Sequence, residues 1–265
     1  MAEDTSSIKE RVLSERRQIL RALEKERCTR AIMMIHRREP WLRAGESITV
    51  EDSEHILMDI RETPPDRPID FILHTPGGLV LAAEMIAMAV KYHPAPVTVM
   101  VPFYAMSGGT LIALAADKIL MEKFSVLGPV DPQVAGYPSA SLIALLERKS
   151  MEALSDETII LSDIARMAVD GAKGFVQWLL KNRMASKKAA KVADFLAGGY
   201  MTHDTPVTLE VAKKLGLKVS EGVPQKVYDL FATCCHGACT RPSLAPCIPA
   251  AEKDVIPLGK NQRNK

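Results

Sequence analysis

The 265-residue sequence is poor in aromatic residues and carries almost no net charge. Aromatic side chains make up 5% of it and hydrophobic residues 47%, so the core must consist of aliphatic side chains and the 13 methionines. The net charge of +2 lacks the basic excess that is typical of nucleic-acid-binding proteins, and we expect no nucleic-acid partner. The hydrophobic fraction excludes global disorder, and the length fits one large domain.

The sequence also lacks a secretory signal and a disulfide framework. Its first residues, MAEDTSSIKERVLSERRQ, contain no apolar segment. The cysteines are Cys28, Cys234, Cys235, Cys239 and Cys247. Their odd number and their crowding in the tail do not fit structural disulfides, and the tail set, with His236 nearby, lacks the C-x2-C pairs of structural zinc sites. We therefore expect a cytoplasmic protein without a metal or other cofactor.

One stretch, residues 94–116, has no charged residue and is long enough to suggest a membrane span. Pro102 and the Gly108-Gly109 pair interrupt it, and its first half contains the β-branched sequence VTVMV. Parallel strands that are buried on both faces have such uninterrupted apolar sequences. We predict a buried strand, turn and helix here, not a membrane span.

Strands and helices alternate around this stretch. We predict a strand at Ile69–His74, a helix at Leu79–Tyr92, a strand at Val97–Val101 and a helix from Ser107 to about Ala116. This order indicates βαβ units, an α/β fold and a parallel sheet. The domain prediction has a charged N-terminal helix at 1–30, a core domain at 31–231 and a flexible tail at 232–265.

Two glycine turns each follow a predicted strand and precede a helix. They are His74-Thr75-Pro76-Gly77-Gly78 and Ala105-Met106-Ser107-Gly108-Gly109. The carboxyl ends of parallel strands meet at one edge, where two backbone amides can form an oxyanion hole. Ser107 would then occupy the position of a nucleophile, although Ala105 breaks the G-x-S-x-G pattern. The alternative is structural: a serine N-cap followed by closely packed glycines.

A serine nucleophile needs a base, and the spacing alone identifies none. The histidines are His36, His55, His74, His93, His203 and His236. Among them only His74 is clearly placed near the Ser107 turn. A neutral lysine is the alternative, with Lys118 and Lys123 expected to be exposed and Lys149 at a helix end. Asp131 is a further candidate, but Asp-Pro is also an ordinary turn.

The segment 69–141, which contains HTPGG and AMSGG, resembles the serine dehydrogenase proteinase family, which is related to signal peptide peptidase A and to Clp-type serine peptidases. The likeness continues more weakly over 31–231 and includes Tyr200–Asp204. The resemblance implies a Clp/crotonase-like fold of repeated β-β-α units in a single core domain that assembles as a homo-oligomer. It also implies that Ser107 is the nucleophile of a serine endopeptidase. The amides of Gly78 and Gly108 would stabilise the oxyanion, and a peptide or protein substrate would bind along Gly77-Gly78.

The resemblance also indicates which residue would act as the general base for Ser107. Clp-type peptidases have a histidine about two dozen residues beyond the serine, but that neighbourhood here is Val130-Asp131-Pro132-Gln133, without a histidine. Signal-peptide-peptidase-like relatives use a lysine, and Lys149 is the matching position. The resemblance therefore implies a Ser107–Lys149 dyad. Many relatives carry an N-terminal membrane segment that this sequence lacks, so membrane association would need a partner.

Two other functions remain open at the sequence level. A crotonase-type acyl-CoA hydratase or isomerase would use the backbone amides of the two glycine turns together with a carboxylate such as Glu84 or Asp131. Ser107 would then have no catalytic role. A non-catalytic oligomeric scaffold would bind partners through residues 1–30 or through the tail.

Overall fold

The structure, a computed structural model, describes residues 5–36 and 47–233. Within them lie ten β-strands and nine α-helices. The strands are β1 (Arg30–Ile35), β2 (Ile69–His74), β3 (Val97–Val101), β4 (Tyr104–Ala105), β5 (Lys118–Met121), β6 (Val126–Leu127), β7 (Gln133–Val134), β8 (Tyr137–Pro138), β9 (Val207–Thr208) and β10 (Val219–Glu221). The helices are α1 (Thr5–Arg27), α2 (Val50–Glu62), α3 (Val80–Tyr92), α4 (Gly108–Ala115), α5 (Ser139–Arg148), α6 (Asp156–Leu180), α7 (Ser186–Ala197), α8 (Leu209–Leu215) and α9 (Gln225–Ala232). The four tail cysteines and His236 lie outside the described residues.

Five parallel strands form the central sheet, in the order β1-β2-β3-β5-β10. In β2 and β3, Ile69 lies opposite Val97 and Ile72 opposite Met100. Every residue of β2 is buried, as expected for a strand that is covered on both faces. The mixed α/β fold with a parallel sheet, predicted from the alternation of strands and helices, is confirmed.

Side chains of β2 alternate between two hydrophobic clusters on opposite faces of the sheet. Phe71 and Leu73 belong to a large cluster that includes residues of α2, α3, α4, α6 and α7. Ile72 belongs to a smaller cluster with Leu23 of α1 and Leu230 of α9. The sheet thus lies between two helical layers, and α1, which the domain prediction separated from the core, packs on one of its faces.

A buried carboxylate attaches α1 to the sheet. Asp70, in the middle of the sheet, is 0% exposed. Arg27, the last residue of α1, donates to both of its oxygens, with Nε at 2.5 Å and Nη2 at 3.1 Å. The hydroxyl of Thr29 donates to the same carboxylate at 2.7 Å. The hydrogen bond to Asp70 raises the pKa of the Arg27 guanidinium.

The uncharged stretch at 94–116 forms β3, β4 and α4. Four of the five residues of β3 and all eight of α4 are buried in the core. The prediction of a buried strand, turn and helix is therefore confirmed. Within 5–36 and 47–233, no helix is both long and apolar enough to cross a membrane.

Several short elements position the candidate site. β4, β6 and β9 form a small second sheet, and β4 ends two residues before Ser107. The sequence predicts a short strand at Ser125–Leu127, where β6 lies, but it predicts neither β4 nor β9. The stretch after Gly128 contains the hairpin β7–β8. α6 continues unbroken through Gly171 and Gly174.

Candidate active site

Thr75 joins the two glycine turns. Its backbone N–H donates to the carbonyl of Tyr104 at 3.2 Å, and its carbonyl accepts from the N–H of Met106 at 2.9 Å. Its side-chain oxygen accepts from the N–H of Gly77 at 3.1 Å. The turn after β2 and the turn after β4 therefore lie side by side, which is the arrangement predicted for the carboxyl ends of neighbouring parallel strands.

A second contact holds the first turn from its other side. The N–H of Ile48 donates to the carbonyl of Gly77 at 2.7 Å, and the carbonyl of Ile48 accepts from the N–H of Leu79 at 2.9 Å. A Cβ on Gly78 would lie 2.3 Å from the backbone N and O of Ile48, so only glycine fits there, and its φ of +155° also favours glycine. Because alternate residues of an extended chain point their amides to opposite edges, the N–H of Gly78 faces away from Ile48.

The contact with Ile48 is connected to the start of α2. Thr49 caps α2 in a capping box with Asp52. The carboxylate of Asp52 also contacts Nε2 of the buried His36 at 3.3 Å, and Nδ1 of His36 lies 2.8 Å from Oγ1 of Thr75. These contacts connect the first turn of α2 to both edges of the Gly77-Gly78 turn.

Ser107 has a strained backbone. Its φ is +50° and its ψ is −116°, values that match the first central position of a type II′ turn, where glycine is usual. Its side chain makes no capping hydrogen bond to α4, so the reading of Ser107 as an ordinary N-cap is wrong. Such strain at a serine between a strand and a helix is typical of exposed nucleophiles.

Ser107 lies against the glycine turn. A Cβ on Gly77 would be 2.8 Å from Cβ of Ser107 and 3.3 Å from the N of Gly108, and one on Gly108 would be 3.8 Å from the N of Gly78. In the described part of the chain, neither the Gly78 nor the Gly108 amide donates a hydrogen bond, and the Ser107 hydroxyl has no partner. The geometry brings a hydroxyl and two unused N–H donors together.

The strain at Ser107 predicts an unusual effect on stability. Because glycine adopts this backbone conformation without strain, we expect Ser107→Gly to have a free energy of unfolding about 1 kcal/mol higher than Ser107→Ala. Both variants lack the hydroxyl, so the comparison isolates the backbone. Urea unfolding followed by circular dichroism measures the difference, and equal midpoints and slopes would contradict the strain argument.

A cavity of about 640 Å³ opens beside Ser107, Gly78 and Gly108. Val80 of α3 and Leu111 of α4 give it apolar walls, and the small residues Ala168, Gly171 and Ala172 of α6 also line it. Glu84 of α3 lines it too and forms no ion pair among the described residues, and partial burial raises the pKa of its carboxyl group. The cavity is mostly apolar, with a few polar groups near Ser107.

The same cavity contains a hydrogen bond between the side chains of His203 and Asp131. Nδ1 of His203 lies 2.8 Å from Oδ1 of Asp131, and Nε2 of Gln133 donates to Oδ2 of that carboxylate at 2.8 Å. Asp131 is buried, whereas about 41% of the His203 side chain is exposed. The hydrogen bond to Asp131 raises the pKa of His203 above its usual value. Sequence reasoning assigned His203 no role, because 72 residues separate it from Asp131 and no spacing motif connects them.

Lys149 does not line the Ser107 cavity. It caps the C-terminus of α5, where its N–H donates to the carbonyl of Leu145 at 3.1 Å, and it is exposed. No lysine is found among the described residues that line the Ser107 cavity. Lys118 and Lys123 are exposed, as predicted. The role of Lys149 as a base stays a prediction.

Within the two described ranges, no group of three or more His, Cys, Asp or Glu residues is placed to hold a metal ion. The tail cysteines are not part of those ranges. The chemistry that the described residues can support comes from Ser107, the glycine amides and the titratable groups of the cavity.

A strained serine beside unused backbone amides on a parallel sheet is typical of serine hydrolases. The comparison with protein families gives a narrower class: residues 5–257 match the ClpP-like SDH-type serine proteinases, and the chain belongs to that family. The predicted resemblance is confirmed, and with it the Clp-like fold class. The match is wider than the predicted 31–231, since it includes α1 and much of the tail.

The curated relatives include two uncharacterised proteins of Methanocaldococcus jannaschii. One is 52% identical over 220 residues, which cover 82% of this chain and 77% of the relative. The other is 50% identical over 223 residues, which cover 83% of this chain and 76% of that relative.

Similar solved structures include a mutant of the membrane-bound stomatin-specific protease 1510-N and ClpP1 from Listeria monocytogenes. The first is 20% identical, has a TM-score of 0.45 and covers 71% of this chain and 79% of its own. The second is 16% identical and has a TM-score of 0.46, and the match covers 76% of this chain and 97% of the ClpP1 chain.

Proposed function

We propose that this protein is a serine endopeptidase that hydrolyses peptide bonds through an acyl-enzyme formed on Ser107. The observation that carries the proposal is the backbone of Ser107, strained at the start of α4 without any capping hydrogen bond. That conformation costs free energy, on the order of 1–3 kcal/mol, and persists at sites where it serves function. Membership of a serine proteinase family supports the same conclusion.

The amides of Gly78 and Gly108 form the oxyanion hole in this proposal. Attack of Ser107 on a carbonyl places negative charge on its oxygen, and two fixed N–H donors stabilise that charge without reorganisation. Gly108 is the first residue of α4, so the positive end of the helix dipole adds to the effect. A side chain at position 78 is excluded by the backbone of Ile48, which keeps this amide in place.

The substrate is an extended peptide segment. Main-chain hydrogen bonds to the free edge at Gly77-Gly78 would align it, because the opposite edge is already paired with Ile48. The apolar cavity between α3, α4 and α6 would receive a side chain next to the scissile bond. We also propose that the protein acts in the cytoplasm and that it is a homo-oligomer, the second of which the sequence resemblance implies.

A fluorophosphonate probe, which reacts with activated serine hydroxyls, tests the proposal directly. We expect the probe to label the purified protein once per chain, with the adduct located at Ser107 by peptide mapping, and to abolish cleavage of a fluorogenic peptide library. Labelling at another serine, or peptide cleavage that survives full labelling, would contradict the proposal. Thermal stabilisation by an acyl-CoA, without peptide cleavage, would favour the crotonase-type alternative.

A further inference from the structure

We propose that His36 is a positioning residue for the oxyanion hole: its imidazole sets the direction of the Thr75 hydroxyl and, through it, the orientation of the Gly78 N–H. The inference rests on the proposed function of Ser107 and of the glycine amides. It adds to that function a residue that does not line the Ser107 cavity and that acts on the reaction only through the first glycine turn.

His36 is buried directly after β1. Its backbone N–H donates to the carbonyl of His74 at 2.8 Å, which continues the pairing of β1 with β2. Its side chain is 5% exposed. A buried polar atom without a hydrogen-bond partner costs free energy, so both ring nitrogens need partners. The fold supplies one partner from α2 and the other from the turn after β2.

The partner on α2 determines which ring nitrogen carries the proton. Nε2 of His36 lies 3.3 Å from Oδ2 of Asp52, and the same oxygen accepts from the backbone N–H of Thr49 at 2.8 Å. A carboxylate only accepts hydrogen bonds, so the proton of the neutral ring is on Nε2 and a lone pair is on Nδ1. Nδ1 lies 2.8 Å from Oγ1 of Thr75 and therefore accepts the hydroxyl proton of this threonine.

The direction of the Thr75 hydroxyl matters because its single proton can serve only one acceptor. Oγ1 of Thr75 accepts from the N–H of Gly77 at 3.1 Å and lies 3.4 Å from the carbonyl oxygen of the same glycine. That carbonyl already accepts from the N–H of Ile48 at 2.7 Å. Because Nδ1 of His36 takes the hydroxyl proton, the Gly77 carbonyl keeps Ile48 as its donor.

The carbonyl of Gly77 and the N–H of Gly78 belong to one planar peptide unit, in which they point in opposite directions. The N–H of Gly78 therefore points away from Ile48 as long as the carbonyl points towards it. A hydroxyl that donated to this carbonyl would compete with Ile48 and tilt the peptide plane, and the Gly78 N–H would turn with it. His36 prevents this tilt.

The alignment of the Gly78 N–H has a specific kinetic signature. An oxyanion hole stabilises charge that develops only in the transition state, and a misplacement of about 1 Å can lower the rate by about 10²-fold. Binding of the substrate in its ground state does not depend on that charge. Loss of the alignment should therefore lower kcat and leave KM almost unchanged.

Two substitutions of His36 separate its two hydrogen bonds. The side-chain oxygen of asparagine can take the place of Nδ1 and accept from Thr75, whereas the longer glutamine places its amide near the position of Nε2. We expect His36→Gln to lower kcat for peptide hydrolysis by about 10- to 100-fold, with KM within about twofold of wild type. His36→Asn should retain most of the wild-type kcat.

The matched control is His55→Gln. His55 is an exposed residue of α2, and its Nδ1 contacts the carbonyl of Glu51 in the same helix at 2.8 Å. The same substitution at this position should leave kcat and KM within about twofold of wild type. Equal kcat values for His36→Gln and His55→Gln would overturn the positioning role.

A double-mutant cycle tests whether His36 acts through Thr75. Thr75→Val removes the hydroxyl and keeps the branched shape of the side chain. Once the hydroxyl is gone, adding His36→Gln should lower kcat no further, because residues that act through one contact are not additive. Two losses that multiply would show that His36 does not act through Thr75 and would overturn the proposal.

Labelling of Ser107 by a fluorophosphonate distinguishes positioning from a merely structural role. The final extent of labelling counts the folded sites, and the rate reports how well the site stabilises the developing charge on the phosphoryl oxygen. We expect His36→Gln to reach one label per chain at a reduced rate. A lower extent of labelling at the wild-type rate would mean that His36 only supports the fold, and the positioning role would be wrong.

Asp52→Asn is the second variant, and it decides the matter if His36→Gln does not fold. It replaces the charged acceptor of Nε2 by a neutral amide oxygen, which is a weaker acceptor. The labelling rate of Ser107 should fall, by a smaller factor than in His36→Gln, whereas Glu54→Gln at an exposed position of α2 should leave it unchanged. A labelling rate that is the same in Asp52→Asn and Glu54→Gln would overturn the proposal.

Failure of this inference can be told apart from failure of the proposed function. A wild-type protein that cleaves peptides, together with His36 variants that match it in kcat and labelling rate, would leave the peptidase intact and remove the role of His36. A wild-type protein that is labelled at Ser107 but cleaves no peptide would contradict the substrate class, and a reduced labelling rate in His36→Gln would still support the positioning role. A wild-type protein that neither reacts nor cleaves would overturn both.

Discussion

Replacing Ser107 by alanine is expected to lower kcat/KM for peptide hydrolysis by at least about 10³-fold. The change removes one oxygen atom and keeps the backbone substituent, so the strained turn, the glycine amides and the cavity stay in place. What remains is the rate that substrate binding and the proposed oxyanion hole supply alone, which is small compared with covalent catalysis.

The matched control for this substitution is Ser141→Ala. Ser141 is an exposed residue of α5 that does not line the Ser107 cavity, and its loss should change kcat/KM by less than about twofold. Substrate binding offers a second readout, since Ser107→Ala should bind a cleavable peptide about as well as the wild-type protein does. A Ser107→Ala variant with more than a tenth of the wild-type activity would exclude Ser107 as the nucleophile.

Removing the carboxylate of Asp70 is the change with the largest expected effect on stability. We expect Asp70→Ala to lower the free energy of unfolding by about 3 kcal/mol, the lower end of the range for breaking a buried ion pair. The substitution leaves the Arg27 guanidinium and the Thr29 hydroxyl without their acceptor. The side chain of Arg27 is 30% exposed, so water can solvate part of its charge, which keeps the effect at this lower end.

Chemical denaturation measures the effect, with Asp59→Ala as the comparison. Among the described residues, the carboxylate of Asp59 forms one ion pair, a 3.8 Å contact with Arg30, and its side chain is 45% exposed, so its loss should cost less than about 0.5 kcal/mol. Equal midpoints for the two variants would show that the Arg27–Asp70 pair contributes no more than a surface contact. Reduced protection of the α1 amides from hydrogen exchange in Asp70→Ala would locate the loss at the docking of this helix.

The elements that the sequence predicted best are the apolar strands of the central sheet and the helix between them. β2 and β3 are short, mostly apolar runs bounded by proline or glycine, and α3 has apolar residues on several faces, so local preference and burial in the core favour the same structure. The two glycine turns were predictable for the same reason, because they lie between such elements. Ser107 was identified by its place in the second of these turns.

The His203–Asp131 pair could not be predicted this way. Asp131 follows two short strands and precedes a hairpin, and these elements have too few residues to show a period. His203 lies in a turn that tertiary contacts bring to the cavity, and nothing in its neighbours indicates a histidine with a buried carboxylate partner. The length of α6 is likewise not apparent from its sequence, because Gly171 and Gly174 have a low helix propensity and yet lie within this helix.

The contact between Ile48 and the Gly77-Gly78 turn makes the proposed oxyanion hole depend on the start of α2, which does not line the Ser107 cavity. The Thr49–Asp52 box closes the first turn of α2, Ile48 precedes it, and His36 connects Asp52 to Thr75. Fraying of that helical turn would release Ile48, and with it the strand pairing that holds the carbonyl of Gly77. The Gly77-Gly78 turn and the start of α2 thus constitute one cooperative unit, in which loss of order at the helix cap and loss of the alignment of the Gly78 amide are the same event.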